Sequence, residues 1–314
     1  MLYPLKFHSI KKDKLWGTEF WTIASLGDDD SIVNNGYLEG NSLSDLLETY
    51  MDELVGENIY QMYGNYFPLL FKIIDAPDSL SVQVHPDDMA AAEWEQMGKT
   101  KMWYVSNAQE NSSIVSGFNQ DVDAHQVLQA LEEDTIFDLL NECSVKRGDV
   151  IYLPAGRVHA LSSNIQVVEV QENSDITYRL YDYNRVDKNG QLRDLHIEQA
   201  LDVIDYTRTD DPLVTYEAQI NNANVLVQDE HFCANVLCLD KTIERDYARL
   251  DSFVVYICLE GTCEIASNEA TEVLGEMGKV TLAKGDSVLI PASLNDIVLS
   301  ANHSNVRLLE VYIV

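Results

Sequence analysis

Of the seven histidines in the chain, two stand where an imidazole can do chemistry. His85 closes the run LSVQVH, where strand alternation puts Ser81, Gln83 and His85 on one face and Val82 and Val84 on the other. A hydroxyl, an amide and an imidazole in a row make a poor core face and a workable pocket wall. The amide oxygen and the ring nitrogen can both ligate a divalent ion. His159 follows PAGRV at the mouth of a short apolar strand. His8, His125, His196, His231 and His303 lack such a context and read as hydrogen-bonded structural residues. A third stretch, SDITYRLYDYNR at 174–185, places Asp175 four residues before Arg179, among Tyr178, Tyr181 and Tyr183. A fixed planar cation there suits a phosphate or a developing oxyanion; the structural reading of the same spacing is an Arg–Asp ion pair.

The elements that must position these groups are mainly short strands. Residues 67–75, 80–84, 102–105, 114–118, 150–153 and 165–170 are β-branched or aromatic runs bounded by Gly, Pro, Asp or Asn, and 253–259, 280–282, 287–290 and 306–311 repeat the pattern. Residues 145–161 (VKRGDVIYLPAGRVHAL) and 282–298 (LAKGDSVLIPASLNDIV) align at an offset of 137, superposing Gly148 on Gly285, Asp149 on Asp286 and Pro154 on Pro291. The second copy has Asp296 where the first has His159, which predicts a second half of the same fold without a metal. Helical periodicity predicts helices over 42–55, two short ones within 123–141, and one from Ile197 to Ile204. The expected class is mostly β, a closed or double-sheet jelly roll with helical insertions. The polar stretch 207–211 before Pro212 divides it into domains 1–206 and 207–314.

With 314 residues, 46% hydrophobic, the chain can bury the cores of about two domains. Its 21 Lys and Arg against 52 Asp and Glu leave a net charge of −31. Such a surface repels phosphate backbones and anionic lipid, so neither nucleic acid nor membrane is an expected partner. An anionic substrate would need a local cluster of Lys and Arg to overcome that field. The longest apolar runs, such as 67–71, are too short to span a bilayer, and the first residues lack a signal-peptide core, which predicts a cytoplasmic protein. Five cysteines without a C-x-x-C pair read as reduced core residues.

In order along the chain, FPLLFKIIDAPDSLSVQVHPDD (67–88), GKTKMWYV (98–105), GDVIYLPAGRVHAL (148–161) and QENSDITYRLYDYNR (171–185), with Trp16–Gly17 and NSLSDLLE (41–48), resemble the short-form, bacterial type I mannose-6-phosphate isomerases of the cupin superfamily. The resemblance implies two cupin domains, a monomer, one zinc ion in the N-terminal cupin, and interconversion of mannose 6-phosphate with fructose 6-phosphate. By position it implies His85, His159 and Gln83 as metal ligands, Arg179 and Asp175 as catalytic residues, and Ser81 and Lys99 as contacts to a sugar phosphate. Asp175, His85 and Glu169 are rival candidates for the base that moves a proton between C1 and C2.

One position departs from the family. Its K-T-E motif supplies a glutamate ligand, and this chain reads Lys99-Thr100-Lys101. A protonated lysine has no lone pair, and its charge repels a divalent ion. Glu93, Glu95 and Glu169 are the neighbouring replacement oxygens, and a deprotonated Lys101 is another donor. Alternation puts Lys99, Lys101 and Trp103 on one face, where the lysines join Arg179 in a basic cluster. The departure leaves two alternatives open: a silent sugar-phosphate-binding relative, or an isomerase of another phosphosugar.

Overall fold

The alternating runs form antiparallel strands in a computed structural model that describes residues 1–301 and 305–314; His303 lies outside the described residues. The chain divides into two compact units, one of Lys11–Phe20 and Leu69–Val214, the other of Met1–Ile10, Trp21–Pro68 and Thr215–Val314. Each carries two large antiparallel sheets, the mostly β jelly-roll architecture with helical insertions, and the second adds a two-stranded ribbon of Ser25–Leu26 and Asp29–Asp30. Among the described residues no helix is long and apolar enough to cross a membrane.

In the unit holding residues 69–214, a six-stranded sheet runs in the order Ile10–Lys14, Gly17–Ile23, Leu69–Ala76, Ile165–Glu172, Lys101–Ala108, Val150–Leu153. The five-stranded sheet runs Tyr178–Tyr181, Val82–Val84, His159–Leu161, Ser113–Phe118, Leu140–Ser144. Trp16, Ile74, Trp103, Val105, Ile151 and Val167 pack with Ile114 and Leu161 between the sheets. On the other face of the five-stranded sheet, Val82 and Val84 pack with Val127 and Ala130 of helix Ala124–Glu132 and Ala200 of helix Ile197–Val203. The helices therefore cover the valine face and leave Ser81, Gln83 and His85 facing the interior. Trp16–Gly17 has a local reason: a Cβ on Gly17 would stand 2.1 Å from the Asp75 carbonyl oxygen.

The repeated turn is built the same way in both units. Gly148 and Gly285 adopt φ of 94° and 90°, which an L side chain rarely tolerates. Asp149 accepts a hydrogen bond from the Lys146 amide (2.9 Å), and Asp286 from that of Ala283 (3.1 Å). Strands Val150–Leu153 and Ser287–Ile290 follow, then His159–Leu161 and Asp296–Ala301.

Several local expectations need correction. The helix expected over 42–55 breaks at Met51, whose φ is 48°, giving Leu43–Tyr50 and Asp52–Val55, with Glu57–Tyr63 following. Ser42 and Asp45 close a capping box at its start. Within 123–141 the second helix is one 3₁₀ turn, Ile136–Asp138, and Leu140 begins a strand. All five cysteines are free, with Cys143 and Cys238 only half-buried.

In the other unit, a five-stranded sheet runs Ala223–Gln228, Cys233–Leu239, Val306–Tyr312, Val254–Glu260, Ser287–Ile290, beside a four-stranded one. Its interior carries Glu310, fully buried, which accepts from Arg245 (3.0 and 3.1 Å), Asn235 (3.0 Å), Tyr256 (3.1 Å) and Tyr247.

Candidate active site

Cross-strand register assembles the site. In the five-stranded sheet Arg179 pairs with Gln83, Gln83 with His159 and His159 with Ser116, so side chains 96 positions apart in sequence form one row. His159 Nδ1 lies 2.8 Å from the Arg157 carbonyl oxygen, which fixes it as the protonated nitrogen and turns Nε2 toward the Gln83 amide, 3.4 Å away. The His85 and His159 ring centroids lie 4.8 Å apart, with the rings tilted by 50°. Both nitrogens of His85 are buried without a hydrogen-bond partner. Burial first, and Lys101 next, hold both imidazoles well below their ordinary pKa, hence neutral.

Facing this row, the six-stranded sheet supplies charge. Glu169 lies opposite Lys72 on one neighbouring strand and Trp103 on the other. Its Oε1 is 3.2 Å from Lys72 Nζ; its Oε2 is 3.2 Å from Lys101 Nζ and accepts from the Trp103 indole at 2.7 Å. Burial alone would raise the Glu169 pKa, but Lys101 and Lys72 hold it far below the usual carboxylate range. For Lys72 burial is likewise outweighed, by Glu169 and Glu19, and its pKa rises. Lys99 lacks such a close partner: its Nζ is 3.3 Å from the Ile176 carbonyl oxygen and 3.9 Å from Asp175. Burial, with Lys72 adding to it, pulls Lys99 down to about 7.

A cavity of about 80 Å³ opens between the sheets. Ser81, Gln83, Lys99, Asp175 and Arg179 line it, and so do Lys101, Lys72, Glu169 and Arg193. Six cationic side chains against three carboxylates make it the basic cluster that a chain of charge −31 needs for an anion. His85 and His159, 2% and 1% exposed, lie outside the lining. Arg179 is not paired with Asp175: its Nη1 donates to the Asp194 carbonyl oxygen (2.8 Å), and its buried Nε has no partner. The i, i+4 spacing misled because Tyr178–Tyr181 is extended, and Asp175 turns to Lys99 instead. Glu93 and Glu95 are exposed, which leaves Glu169 as the inward carboxylate among the three replacements considered.

The catalytic domain of type I phosphomannose isomerases matches residues 3–135. Mannose-6-phosphate isomerase ManA of Bacillus subtilis is 32% identical over 93% of this chain and 94% of its own length. The mannose-6-phosphate isomerase of Streptococcus mutans is 30% identical over 97% and 99%. The chain belongs to the type I mannose-6-phosphate isomerase family. The crystal structure of the Bacillus subtilis mannose 6-phosphate isomerase superposes over the full length of both chains, with a TM-score of 0.86 at 28% identity. A further structure, from Archaeoglobus fulgidus, shares the fold at TM-score 0.80 and 20% identity.

Type I phosphomannose isomerases are metal-dependent, and the ligand set implied by family resemblance can be tested on these side chains. Three donors are in place: two neutral imidazoles and the Gln83 amide. The fourth position holds Lys101, whose pKa burial lowers while Glu169, 3.2 Å away, opposes that and favours the ammonium. Glu169, the nearest inward carboxylate, is already held by Lys72, Lys101 and an indole N–H. The orphaned nitrogens of His85 suit an ion, but the charge around them does not. The set does not fit a tightly held zinc ion.

Lys72 was not singled out by sequence reasoning. Its signal was present, a lone lysine inside the apolar run FPLLFKII, since a lysine on an apolar strand must find a partner.

Proposed function

We propose that this chain interconverts mannose 6-phosphate and fructose 6-phosphate in the cavity of the residue 69–214 unit. The observation that carries the reading is a lining of six cations and three carboxylates, in a family member, on a chain that is otherwise strongly acidic. Lys99 and Ser81 bind the phosphate, an anion that restores the proton Lys99 gives up so readily when the pocket is empty. Arg179 turns its partnerless Nε and its charge to the sugar oxygens. Asp175, more than half exposed at the cavity and 3.9 Å from Lys99, takes the proton from C2 of the aldose. The electron pair forms the C1–C2 double bond while O1 becomes an oxyanion, stabilised by Arg179. Return of that proton to C1, with transfer of the O2 proton to O1, yields the ketose. Glu169 is set aside as the base because three donors hold it ionised and satisfied.

The test is turnover across a panel of mannose 6-phosphate, glucose 6-phosphate, ribose 5-phosphate and free mannose. Selective conversion of mannose 6-phosphate supports the reading. Preference for another phosphosugar, or no conversion of any, would sink it.

A further inference from the structure

The carboxylate that faces Lys101 has a counterpart in the other unit. Glu169 lies opposite Trp103, and Trp103 lies opposite Ile151 on the repeated strand. Glu310 lies opposite Tyr256, and Tyr256 lies opposite Val288, the residue that aligns with Ile151 at the offset of 137. The aromatic partner donates to the acid in both units, Trp103 at 2.7 Å and Tyr256 at 3.1 Å. The third strand supplies Lys72 in one unit and Asn235 in the other. Each acid also holds a cation, Lys101 at 3.2 Å and Arg245 at 3.0 Å. An acid kept in the same register in a unit whose repeat lacks the histidine belongs to the interior of the fold. Its job is to pair with cross-strand donors, and it is not free to replace a missing metal ligand.

Lys101 is therefore held in place, 2% exposed, by Glu169 on one side and the Trp103 ring, 5.0 Å away, on the other. It lines the cavity, whereas the two histidines do not. Formal charge makes the exchange conservative. A carboxylate ligand with its divalent ion carries one net positive charge, and so does the ammonium that stands in this chain. We propose that Lys101 replaces both the carboxylate ligand and the metal of the family's site, so that an ammonium faces the developing oxyanion and turnover needs no divalent ion. The inference rests on the isomerase reading above. It asks of Lys101 what a preorganised cation supplies elsewhere, stabilisation of charge that appears only in the transition state, with no step at the metal.

The test uses the full chain without a histidine tag: metal content by mass spectrometry of the purified protein, and turnover of mannose 6-phosphate before and after a chelator. Less than about a tenth of an equivalent of metal, with turnover unchanged by chelation, is expected. Lys101→Glu should bind about one equivalent of zinc and become chelator-sensitive. Lys101→Met should lose roughly 100-fold in turnover while remaining metal-free. Lys101→Arg keeps the charge and should retain chelator-insensitive turnover. A native chain holding one equivalent of metal and inactivated by chelation overturns the inference and leaves the isomerase reading standing. A native chain without turnover, beside a Lys101→Glu variant active with zinc, overturns the inference and with it the isomerase reading of the native chain. A native chain and Lys101→Glu both inactive, with or without zinc, would instead remove the isomerase reading itself.

Discussion

Arg179 and Lys99 are both cations at the cavity, yet they should fail differently when changed. Arg179 has its Nη1 anchored on a carbonyl and its Nε unpartnered, so its guanidinium is positioned before substrate arrives. Arg179→Ala is expected to lower kcat about 100- to 1,000-fold with little change in thermal stability, and Arg179→Lys should not rescue it. Lys99 is set by burial, with Lys72 and Lys101 pushing its pKa down and Asp175 and Glu169 pulling it up, to about 7. Its charge is present below that value and lost above it. KM for the phosphosugar should therefore rise with pH through about 7, and Lys99→Met should raise KM about 10- to 100-fold and flatten that profile. Between about 7 and the ordinary lysine range, the unfolded chain binds the proton more tightly than the folded one, so this residue makes stability rise with pH. At pH 7 Lys99→Met should accordingly melt at a higher temperature than the native chain. A fall in melting temperature would contradict the burial argument.

Glycine and aspartate decide the geometry of the repeated strand–loop element. The φ of 94° at Gly148 and 90° at Gly285 lies where a Cβ crowds the backbone, while Asp149 and Asp286 tie the turns to amides three residues back. Gly148→Ala and Gly285→Ala are each expected to cost about 1–2 kcal/mol by denaturant unfolding. Only Gly148→Ala should also reduce turnover, because its strand pairs Leu153 with Lys101 at the cavity. The strand alternation at 81–85 was legible because its outward valines and inward polar residues had different fates, helix cover and cavity. The break at Met51 was not legible: the apolar spacing continues through it, while the carbonyls of Glu53, Leu54 and Val55 just beyond accept from the amides of Ser293, Ala292 and Phe253, far away in sequence.

Across the molecule, the two buried acids separate stability from activity. Glu310→Gln removes the partner of Arg245 and should cost about 3–5 kcal/mol of unfolding free energy while leaving kcat/KM for the phosphosugar unchanged. Glu169→Gln should cost a comparable amount and also abolish turnover, because it frees Lys72 and Lys101 inside the cavity. Equal losses of activity in the two variants would show that the acids do not divide this way.

The sequence determined the strand pattern, the internal duplication, the inward face of Ser81, Gln83 and His85, and the need for a basic cluster. Each is a local or repeating property of residue type, readable wherever alternation or turn chemistry has one solution. The partners of the charges were decided only by tertiary structure. Asp175 turned from Arg179 to Lys99, Glu93 and Glu95 faced solvent, and Glu169 bound Lys72, Lys101 and Trp103. Ion pairing depends on which strands become neighbours and in what register, and residues 97 positions apart, as Lys72 and Glu169 are, reveal no register until the sheet is closed.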